Sequence, residues 1–273
     1  MNDEPLILTV APNGAYKSTT DHAALPITPA ALAATARACL DAGAAMLHLH
    51  VRLPDGRHSL RADDYRAAQA AIRAAVGPSL VIQVTTEAAG VYEPAEQVAV
   101  VYDLQPEAVS VSLRELLRPG LSEAELSRFF GWLVQTQTMT QVILYDAAEV
   151  AQWNQLRARG VIPEGRWFLL FVLGRYAAGQ TSSPTDLLPF LQTWDGCHPW
   201  AMCAFGAQEH RCAMAALALG GHVRVGFENN LWRRDGSLAP DNSSLVRQVA
   251  ESAALAGRPL ASAAQVRERF QFG

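Results

Sequence analysis

Two histidines separated by one residue, His48 and His50, stand in a short apolar segment with Leu49 and Val51. Residues two apart on a β-strand point to the same face, so both imidazoles would enter one side of a sheet. Burying adjacent imidazoles is costly unless a partner compensates, and a divalent metal is a frequent partner. The pattern favours a metal site. The alternative is a pair of hydrogen-bonded core histidines.

A carboxylate follows the last apolar segment of the chain, where residues 222–227 lead to Glu228. Zinc held by two histidines commonly takes a carboxylate as third ligand and keeps one position open for water or substrate. Arg224 shares the parity of Glu228 and would face the same side. Glu228 is therefore a candidate ligand. The alternative is a strand-end carboxylate that is only ion-paired with an arginine.

Eight apolar segments rich in Val, Ile and Leu alternate with Ala-rich segments of helical spacing. This alternation predicts buried parallel strands joined by crossover helices. The strands are predicted near residues 6–12, 45–51, 80–86, 108–112, 141–145, 167–173, 199–204 and 222–227. The helices are predicted near 28–42, 61–75, 94–104, 122–136, 147–158, 184–193, 207–220 and 242–256.

Eight such repeats in 273 residues predict an α/β fold, a (β/α)8 TIM barrel, as a single domain over residues 1–273. A doubly wound open sheet is less favoured, because no G-x-G-x-x-G follows the first strand. A helical stretch over 263–270 predicts a C-terminal helical tail that packs on the barrel or on a neighbouring subunit. In such a barrel, functional groups are expected at the carboxyl ends of the strands.

Composition excludes several classes of function. With 50% apolar residues, 18% charged residues and a net charge of −4, the chain is predicted to be globular. The chain has no run of lysines and arginines, so nothing points to a nucleic-acid or membrane-surface partner. It also has no apolar stretch long enough to predict a membrane span, and its first residues are acidic, unlike those of a signal peptide. We expect a cytoplasmic protein that acts on small molecules and forms homo-oligomers. Lys17 is the only lysine, so a Schiff-base aldolase would depend on it alone.

Four segments resemble one known family. They are 48–65 (HLHVRLPDGRHSLRADDY), 82–86 (IQVTT), 220–231 (GGHVRVGFENNL) and 236–246 (GSLAPDNSSLV), and they are similar to the β-keto acid cleavage enzymes, whose founding activity is 3-keto-5-aminohexanoate cleavage. The resemblance implies a TIM barrel, usually a homotetramer, in which a β-keto acid and acetyl-CoA give acetoacetate and a new acyl-CoA. It also implies a zinc ion held by His48, His50 and Glu228, although manganese or nickel stay open.

The catalytic groups implied by the resemblance are altered in this chain. Zinc would polarise the keto oxygen, and a nearby group must move protons. Where the family pairs an aspartate with an arginine, this chain has Asn229 with Arg224, and an amide is not a general base. Where active members commonly have a glutamate on the fifth strand, this chain has Ile143, and Asp146 at the strand end could substitute.

Other residues are candidates for binding the substrate. Tyr16 and Lys17 stand where the aminohexanoate enzyme has an acid, so we expect a keto acid with an anionic or uncharged distal group. Lys17 could pair with a carboxylate or a CoA phosphate, or be a solvated loop lysine. Thr85, Thr86 and Ser110 could donate hydrogen bonds to a substrate carboxylate, or could cap the next helix.

Arg233 and Arg234, after the last strand, are candidates for the CoA phosphates because barrels often bind phosphate there. Two other functions stay open. One is a metal-dependent lyase or hydrolase that acts on a keto acid without CoA. The other is a barrel that retains a metal and only binds a metabolite.

Overall fold

Eight parallel strands close into a barrel in the computed structural model, which describes residues 4–272. The chain forms β1 (Leu8–Val10), β2 (Met46–Leu49), β3 (Val51–Arg52), β4 (His58–Ser59), β5 (Val81–Thr85), β6 (Ala108–Ser112), β7 (Met139–Leu144), β8 (Phe168–Leu173), β9 (Trp200–Ala204) and β10 (His222–Val225). Around the barrel the order is β1, β10, β9, β8, β7, β6, β5, β2, with β2 pairing back to β1. The predicted (β/α)8 barrel is confirmed.

Helices connect the strands. They are α1 (Pro29–Asp41), α2 (Ala62–Val76), α3 (Pro94–Leu104), α4 (Leu113–Leu116), α5 (Glu123–Gln135), α6 (Ala147–Ala158), α7 (Leu188–Thr193), α8 (Glu209–Ala218), α9 (Asn242–Leu255) and α10 (Ala263–Phe270). Local sequence sets several starts: Thr28 accepts from the Ala31 amide before α1, and Ser122 and Glu125 form a capping box on α5. No helix within residues 4–272 is long and apolar enough to span a membrane.

Alternating side chains on the strands build two apolar layers. On β7, Val142 and Leu144 pack outward against the helices, whereas Ile143 faces the barrel interior with the residues of a second cluster. The C-terminal tail closes the amino end of the barrel, where Phe270 of α10 lies 5.2 Å from Phe168 between ring centroids. The predicted tail helix therefore packs on this barrel and leaves its carboxyl end open.

Two strands carrying candidate ligands end earlier than predicted. β2 stops at Leu49, because the next residues pair with β4 in a separate two-stranded hairpin. β10 stops at Val225, because Gly226 adopts a φ of +138° against the Ala11 carbonyl, where a Cβ would be only 2.4 Å from the oxygen. Glu228 therefore lies in a turn beyond β10 rather than on the strand. The predicted helix over 184–193 likewise begins as a 3₁₀ turn, Pro184–Leu187, before α7.

Candidate metal and substrate site

The three predicted metal ligands converge at the carboxyl end of the barrel. His48 lies on β2, His50 directly follows that strand, and Glu228 lies in the turn after β10. The Nε2 atoms of His48 and His50 are 3.1 Å apart. Glu228 Oε2 lies 3.6 Å from His48 Nε2 and 3.3 Å from His50 Nε2. The side chains thus form a compact set of two nitrogens and one oxygen, all within 4.8 Å of one another.

A hydrogen bond on the far side of His48 fixes which nitrogen faces the other ligands. His48 Nδ1 lies 2.9 Å from Gln83 Oε1, an atom that only accepts, so Nδ1 carries the proton and Nε2 presents its lone pair. Gln83 in turn donates to Gln141 Oε1 at 3.2 Å. Burial lowers the pKa of His48 to about 3, so the ring is neutral at pH 7. This is the form that binds a metal.

The two oxygens of Glu228 have different surroundings. Arg224 Nη2 donates to Oε1 at 2.9 Å, whereas Oε2 faces the histidines and receives no hydrogen bond from the part of the chain described. Burial would raise the pKa of Glu228, but the Arg224 guanidinium and the two imidazoles hold it well below its usual range. Glu228 is thus ion-paired with Arg224 and still presents one ionised, unpartnered oxygen.

The turn that carries Glu228 is held in place by hydrogen bonds to the side chains of Glu209 and Lys17. Glu209 of α8 accepts from the Gly226 amide at 3.2 Å and from Asn230 Nδ2 at 3.1 Å. Glu209 is fully buried, and burial raises its pKa to about 8 although the Asn230 and Gly226 donors lower it. Lys17 Nζ donates to the Glu228 carbonyl oxygen at 2.6 Å. These contacts fix the backbone on both sides of the ligand.

Asn229, the predicted partner of Arg224, is buried beside this turn. Its backbone oxygen accepts from the Gly206 amide at 3.1 Å, but neither Oδ1 nor Nδ2 has a partner among residues 4–272. Arg224 Nε and Nη1 are likewise buried without partners there. The structure therefore shows no hydrogen bond between the two side chains. Both offer unsatisfied polar atoms to a bound ligand.

A cavity of about 260 Å³ lies at the mouth of the barrel and reaches Glu228. Tyr16 and Lys17 both line it, and Lys17 is half-buried, with burial lowering the pKa of its ammonium. The wall is mixed in charge rather than simply aromatic and positive, because carboxylates also line it. The lining residues are Asn13, Gly14, Ala15, Tyr16, Lys17, Asp21, Glu87, Arg175, Gln180, Phe205 and Glu228.

Sequence reasoning missed two charged residues of this cavity, Glu87 and Arg175. Glu87 follows β5, and its Oε2 lies 3.9 Å from His50 Nε2 while its Oε1 lies 3.9 Å from an Arg175 nitrogen. The rule that barrels place function at strand ends could have found Glu87, since it comes directly after Thr85 and Thr86. Arg175 lies in an irregular loop after β8, and no local motif marks it.

Some of the predicted hydroxyl donors already have hydrogen-bond partners among the described residues, and others do not. Thr85 Oγ1 accepts from the Glu87 amide at 3.1 Å, and Thr86 Oγ1 donates to the Ser110 carbonyl at 3.1 Å. Ser110 Oγ is buried without a partner in the described residues, and so is Ser112 Oγ two positions along β6. The free hydroxyls are therefore on β6, and Ser112 was missed.

Asp146 is placed away from the ligand set. Its carboxylate caps α6 by accepting from the Glu149 amide at 2.9 Å, and Arg114 Nη2 lies 3.1 Å from its other oxygen. Its side chain is 52% exposed and does not line the cavity. The structure therefore places Asp146 as a helix cap outside the cavity lining, and its role as the substitute acid stays a prediction. Ile143 faces the interior as an apolar side chain.

Arg233 and Arg234 are held in pairs outside the cavity lining. Arg233 Nε donates to Ser237 Oγ at 2.8 Å and its guanidinium lies 3.4 Å from Asp235. Arg234 lies 3.4 Å from Glu251 of α9. Both side chains are at least 41% exposed. Their role toward CoA stays a prediction.

Comparison with known proteins identifies the family. A profile of the family described as beta-keto acid cleavage enzyme matches residues 5–272, and the chain belongs to this family. The 3-keto-5-aminohexanoate cleavage enzyme of Acetoanaerobium sticklandii is 28% identical over 97% of both chains. The 3-oxoadipate:acetyl-CoA acetyltransferase of Cupriavidus necator is 28% identical over 97% of this chain and 94% of that protein. The resemblance and the enzyme class, a carbon–carbon-cleaving CoA-linked transferase, are confirmed.

Solved structures support the fold alone. The apo structure of ObcA superposes with a TM-score of 0.73 at 20% identity, covering 91% of this chain and 66% of that chain. The type I 3-dehydroquinate dehydratase of Clostridium difficile superposes with a TM-score of 0.61 at 8% identity, covering 96% of both chains. The barrel is thus shared far beyond the family.

Proposed function

We propose that this protein is a zinc-dependent β-keto acid cleavage enzyme that uses acetyl-CoA as co-substrate and releases acetoacetate and a new acyl-CoA. The observation that carries the proposal is the convergence of His48, His50 and Glu228 beside a cavity. Two ring nitrogens 3.1 Å apart and a buried, unpartnered carboxylate oxygen suit a shared cation. A donor set of two nitrogens and one oxygen matches catalytic zinc.

A divalent metal in this set would act as a Lewis acid on the substrate's keto oxygen. Residues that contact these ligands keep them in the form that binds a metal. Gln83 holds the His48 ring in the tautomer with Nε2 unprotonated, and Arg224 keeps Glu228 ionised and oriented. Apolar residues of the barrel interior close the space beneath, which strengthens electrostatic interactions at the site.

The proposed reaction breaks the bond between the keto carbon and the α-carbon that bears the carboxylate. The acyl half joins the sulfur of CoA, and the two-carbon half joins the acetyl group that leaves the same sulfur. Atoms therefore balance without an oxidant, a reductant or water. Forming the new carbon–carbon bond requires a base for the α-carbon proton. Asn229 cannot be this base, because an amide does not accept a proton at neutral pH.

Glu87 is the carboxylate best placed for that proton. It lines the cavity, and its Oε2 faces His50 Nε2 at 3.9 Å. The other cavity acids are committed elsewhere, since Asp21 accepts from the Ser18 amide at 2.7 Å and Glu228 is a ligand. We assign proton removal from the α-carbon, and its return, to Glu87 Oε2.

Free hydroxyls complete the proposed substrate site. Ser110 and Ser112 would donate to the substrate carboxylate, because their Oγ atoms are buried without partners in the described residues. Arg233 and Arg234 stay our candidates for the CoA phosphates. We further propose a cytoplasmic homotetramer, which rests on the family resemblance and on the sequence features given above.

The test is turnover by the purified protein with acetyl-CoA and a panel of β-keto acids, with both products identified by mass spectrometry. We expect equal amounts of acetoacetate and a new acyl-CoA, lost with a chelator and restored by zinc. Glu87→Gln should lower kcat about 10²- to 10⁴-fold with metal content unchanged. Loss of metal in that variant would instead make Glu87 a ligand.

A second candidate is a metal-dependent lyase or hydrolase that acts on a keto acid without CoA. Asn229 and Ile143 favour it, since they replace two proton-handling groups that the family resemblance implies. Cleavage of a keto acid without acetyl-CoA would select this candidate. Binding of keto acids without turnover under either condition would select a metabolite-binding barrel.

A further inference from the structure

Arg175 is held among aromatic rings at the wall of the cavity. Its guanidinium carbon lies 4.9 Å from the ring centroid of Tyr16, 5.4 Å from that of Phe205 and 5.6 Å from that of Tyr176. Contacts of this kind hold a guanidinium by its flat face and leave its N–H edge directed elsewhere. The side chain is only 20% exposed. Its position is therefore set by packing against the rings.

No residue in the described range 4–272 accepts a hydrogen bond from the Arg175 guanidinium. The nearest carboxylate oxygen, Glu87 Oε1, is 3.9 Å away, which is beyond hydrogen-bonding distance. Other partly buried arginines near the site differ. Arg52 donates to the Gly14 and Lys17 carbonyls, and Arg114 donates to Glu149. The Arg175 guanidinium lines the cavity, where its N–H edge is open to a ligand that accepts hydrogen bonds.

We propose that Arg175 binds a second carboxylate of the substrate, so that the enzyme acts on a short β-keto dicarboxylic acid. This inference rests on the proposed function, because it takes the metal set as the place of the keto group. A guanidinium edge matches a carboxylate in a bidentate pair. Lys17 lines the same cavity and adds a second positive charge.

The contacts that Glu87 makes with Arg175 and with His50 limit the length of this substrate. The Glu87 carboxyl group lies between the guanidinium and the metal set. One of its oxygens is 3.9 Å from an Arg175 nitrogen, and the other is 3.9 Å from His50 Nε2. A distal carboxylate a few carbons beyond the keto group fits this span. The phosphates of CoA do not, because the pantetheine arm keeps them much farther from the reacting thioester.

Glu87 is the feature of the cavity that would favour an amine instead. A substrate ammonium could pair with Glu87, but it would lie beside Arg175 and Lys17. At that position the two nearby cations would oppose the attraction of the Glu87 carboxylate. The amine is therefore the alternative that the experiment must exclude.

The experiment compares three six-carbon substrates, 3-oxoadipate, 3-oxohexanoate and 3-keto-5-aminohexanoate, with acetyl-CoA and metal-loaded protein. We expect kcat/KM to be highest for the dicarboxylate. Arg175→Gln should lower that value about 10- to 100-fold, mainly through KM, and should lower the value for the uncharged substrate much less, by the part that reflects the neighbouring Glu87. Arg128→Gln, at an exposed arginine of α5, is the control and should change neither. Preference for the amine, or equal losses for all three substrates, would overturn the proposal.

A binding measurement separates this proposal from the proposed function. Adipate and hexanoate lack the keto group and are probes for calorimetric titration. We expect adipate to bind more tightly, and Arg175→Gln to remove the difference. If no keto acid reacts with acetyl-CoA but this difference is found, the proposed function fails and the carboxylate site stands. If adipate binds no better than hexanoate to the native protein, the carboxylate site is refuted even when turnover is observed.

Discussion

The two sides of the barrel interior differ in chemistry, although the same strand geometry builds both. On β2 and β5, inward positions carry His48 and Gln83, which are buried and joined by a hydrogen bond. Across the barrel, on β8 and β9, inward positions carry Leu170, Val172 and Cys203. One side is thus a polar network that ends in the metal set, and the other is an ordinary apolar core.

The comparison indicates that stability and chemistry depend on different sides of the same barrel. The apolar side stabilises the fold and keeps water away, whereas the polar side has desolvation costs that only a bound ligand would offset. Substitutions on the polar side should therefore affect function more than stability. Substitutions on the apolar side should do the reverse.

The largest expected effect comes from removing a ligand. His48→Ala should lower kcat/KM at least about 10³-fold and abolish stoichiometric metal binding, because two remaining ligands hold zinc poorly. Leu170→Ala is the counterpart across the barrel. It should lower the free energy of unfolding by about 2–5 kcal/mol and leave kcat of the folded protein within a few-fold. Denaturant titration measures the stability of the two variants, and steady-state kinetics measures their activity. Equal losses of activity in the two variants would contradict the proposed difference between the two sides of the barrel.

Gln83→Leu should give the next largest effect. It removes the acceptor that fixes the His48 tautomer, and such outer partners typically change metal affinity 10- to 100-fold. Gln141→Leu, one hydrogen bond farther from the metal set, should have a smaller effect. Competition with a chelator measures both affinities. If the two variants bind metal equally well, the effect on metal affinity does not decrease with distance from the metal set.

Most of the fold was predictable from the sequence because strands and helices carry strong periodic patterns. The barrel and the tail helix follow from these patterns, and the adjacency of the first and last strands brings the segment after β10 close to β2. The turn at Gly226, which places Glu228, does not follow from strand parity. The cap that Asp146 forms on α6 was not predicted, although Asp146 and Glu149 have the three-residue spacing of a helix cap. The cap was the simpler interpretation.

Loop residues were harder to predict, because no periodicity constrains where a loop directs its side chains. Arg175 reaches the cavity by packing on Tyr16 and Phe205, which come from other loops. These contacts depend on the closed barrel. The charge of the cavity wall was therefore only partly predicted, since Glu87 and Arg175 were both missed.

Glu209 of α8 accepts hydrogen bonds from the turn that carries Glu228, and its raised pKa predicts that the stability of the protein depends on pH. Its pKa is raised to about 8 in the folded protein, so the folded state holds a proton that the unfolded state has released. Stability from this group is complete below the unfolded value near 4.5, falls by about 1.4 kcal/mol per pH unit above it, and is lost as pH rises past about 8. Chemical denaturation between pH 5.5 and 8.5 should show this decline, at roughly the slope given by linkage.

Glu209→Gln is the matched control, because an amide cannot titrate. Its free energy of unfolding should be flatter over the same pH range. Parallel profiles for the variant and the native protein would show that Glu209 does not carry the decline.

Asn229→Asp should give the smallest change. It places a titratable group beside Arg224 and should raise keto-acid cleavage a few-fold, with little change in stability, since the Asn229 side chain has no partner to lose in the described structure. Steady-state kinetics with the best substrate measures the change. Lower activity would mean that the Asn229 amide serves this enzyme's own chemistry.

The metal content of the native protein tests the central claim most directly. Elemental analysis of protein purified without chelators should find about one divalent metal per chain, with zinc as our prediction, and His48→Ala and Glu228→Ala should each lose it. Native protein that turns over β-keto acids and acetyl-CoA while containing negligible metal would contradict the account.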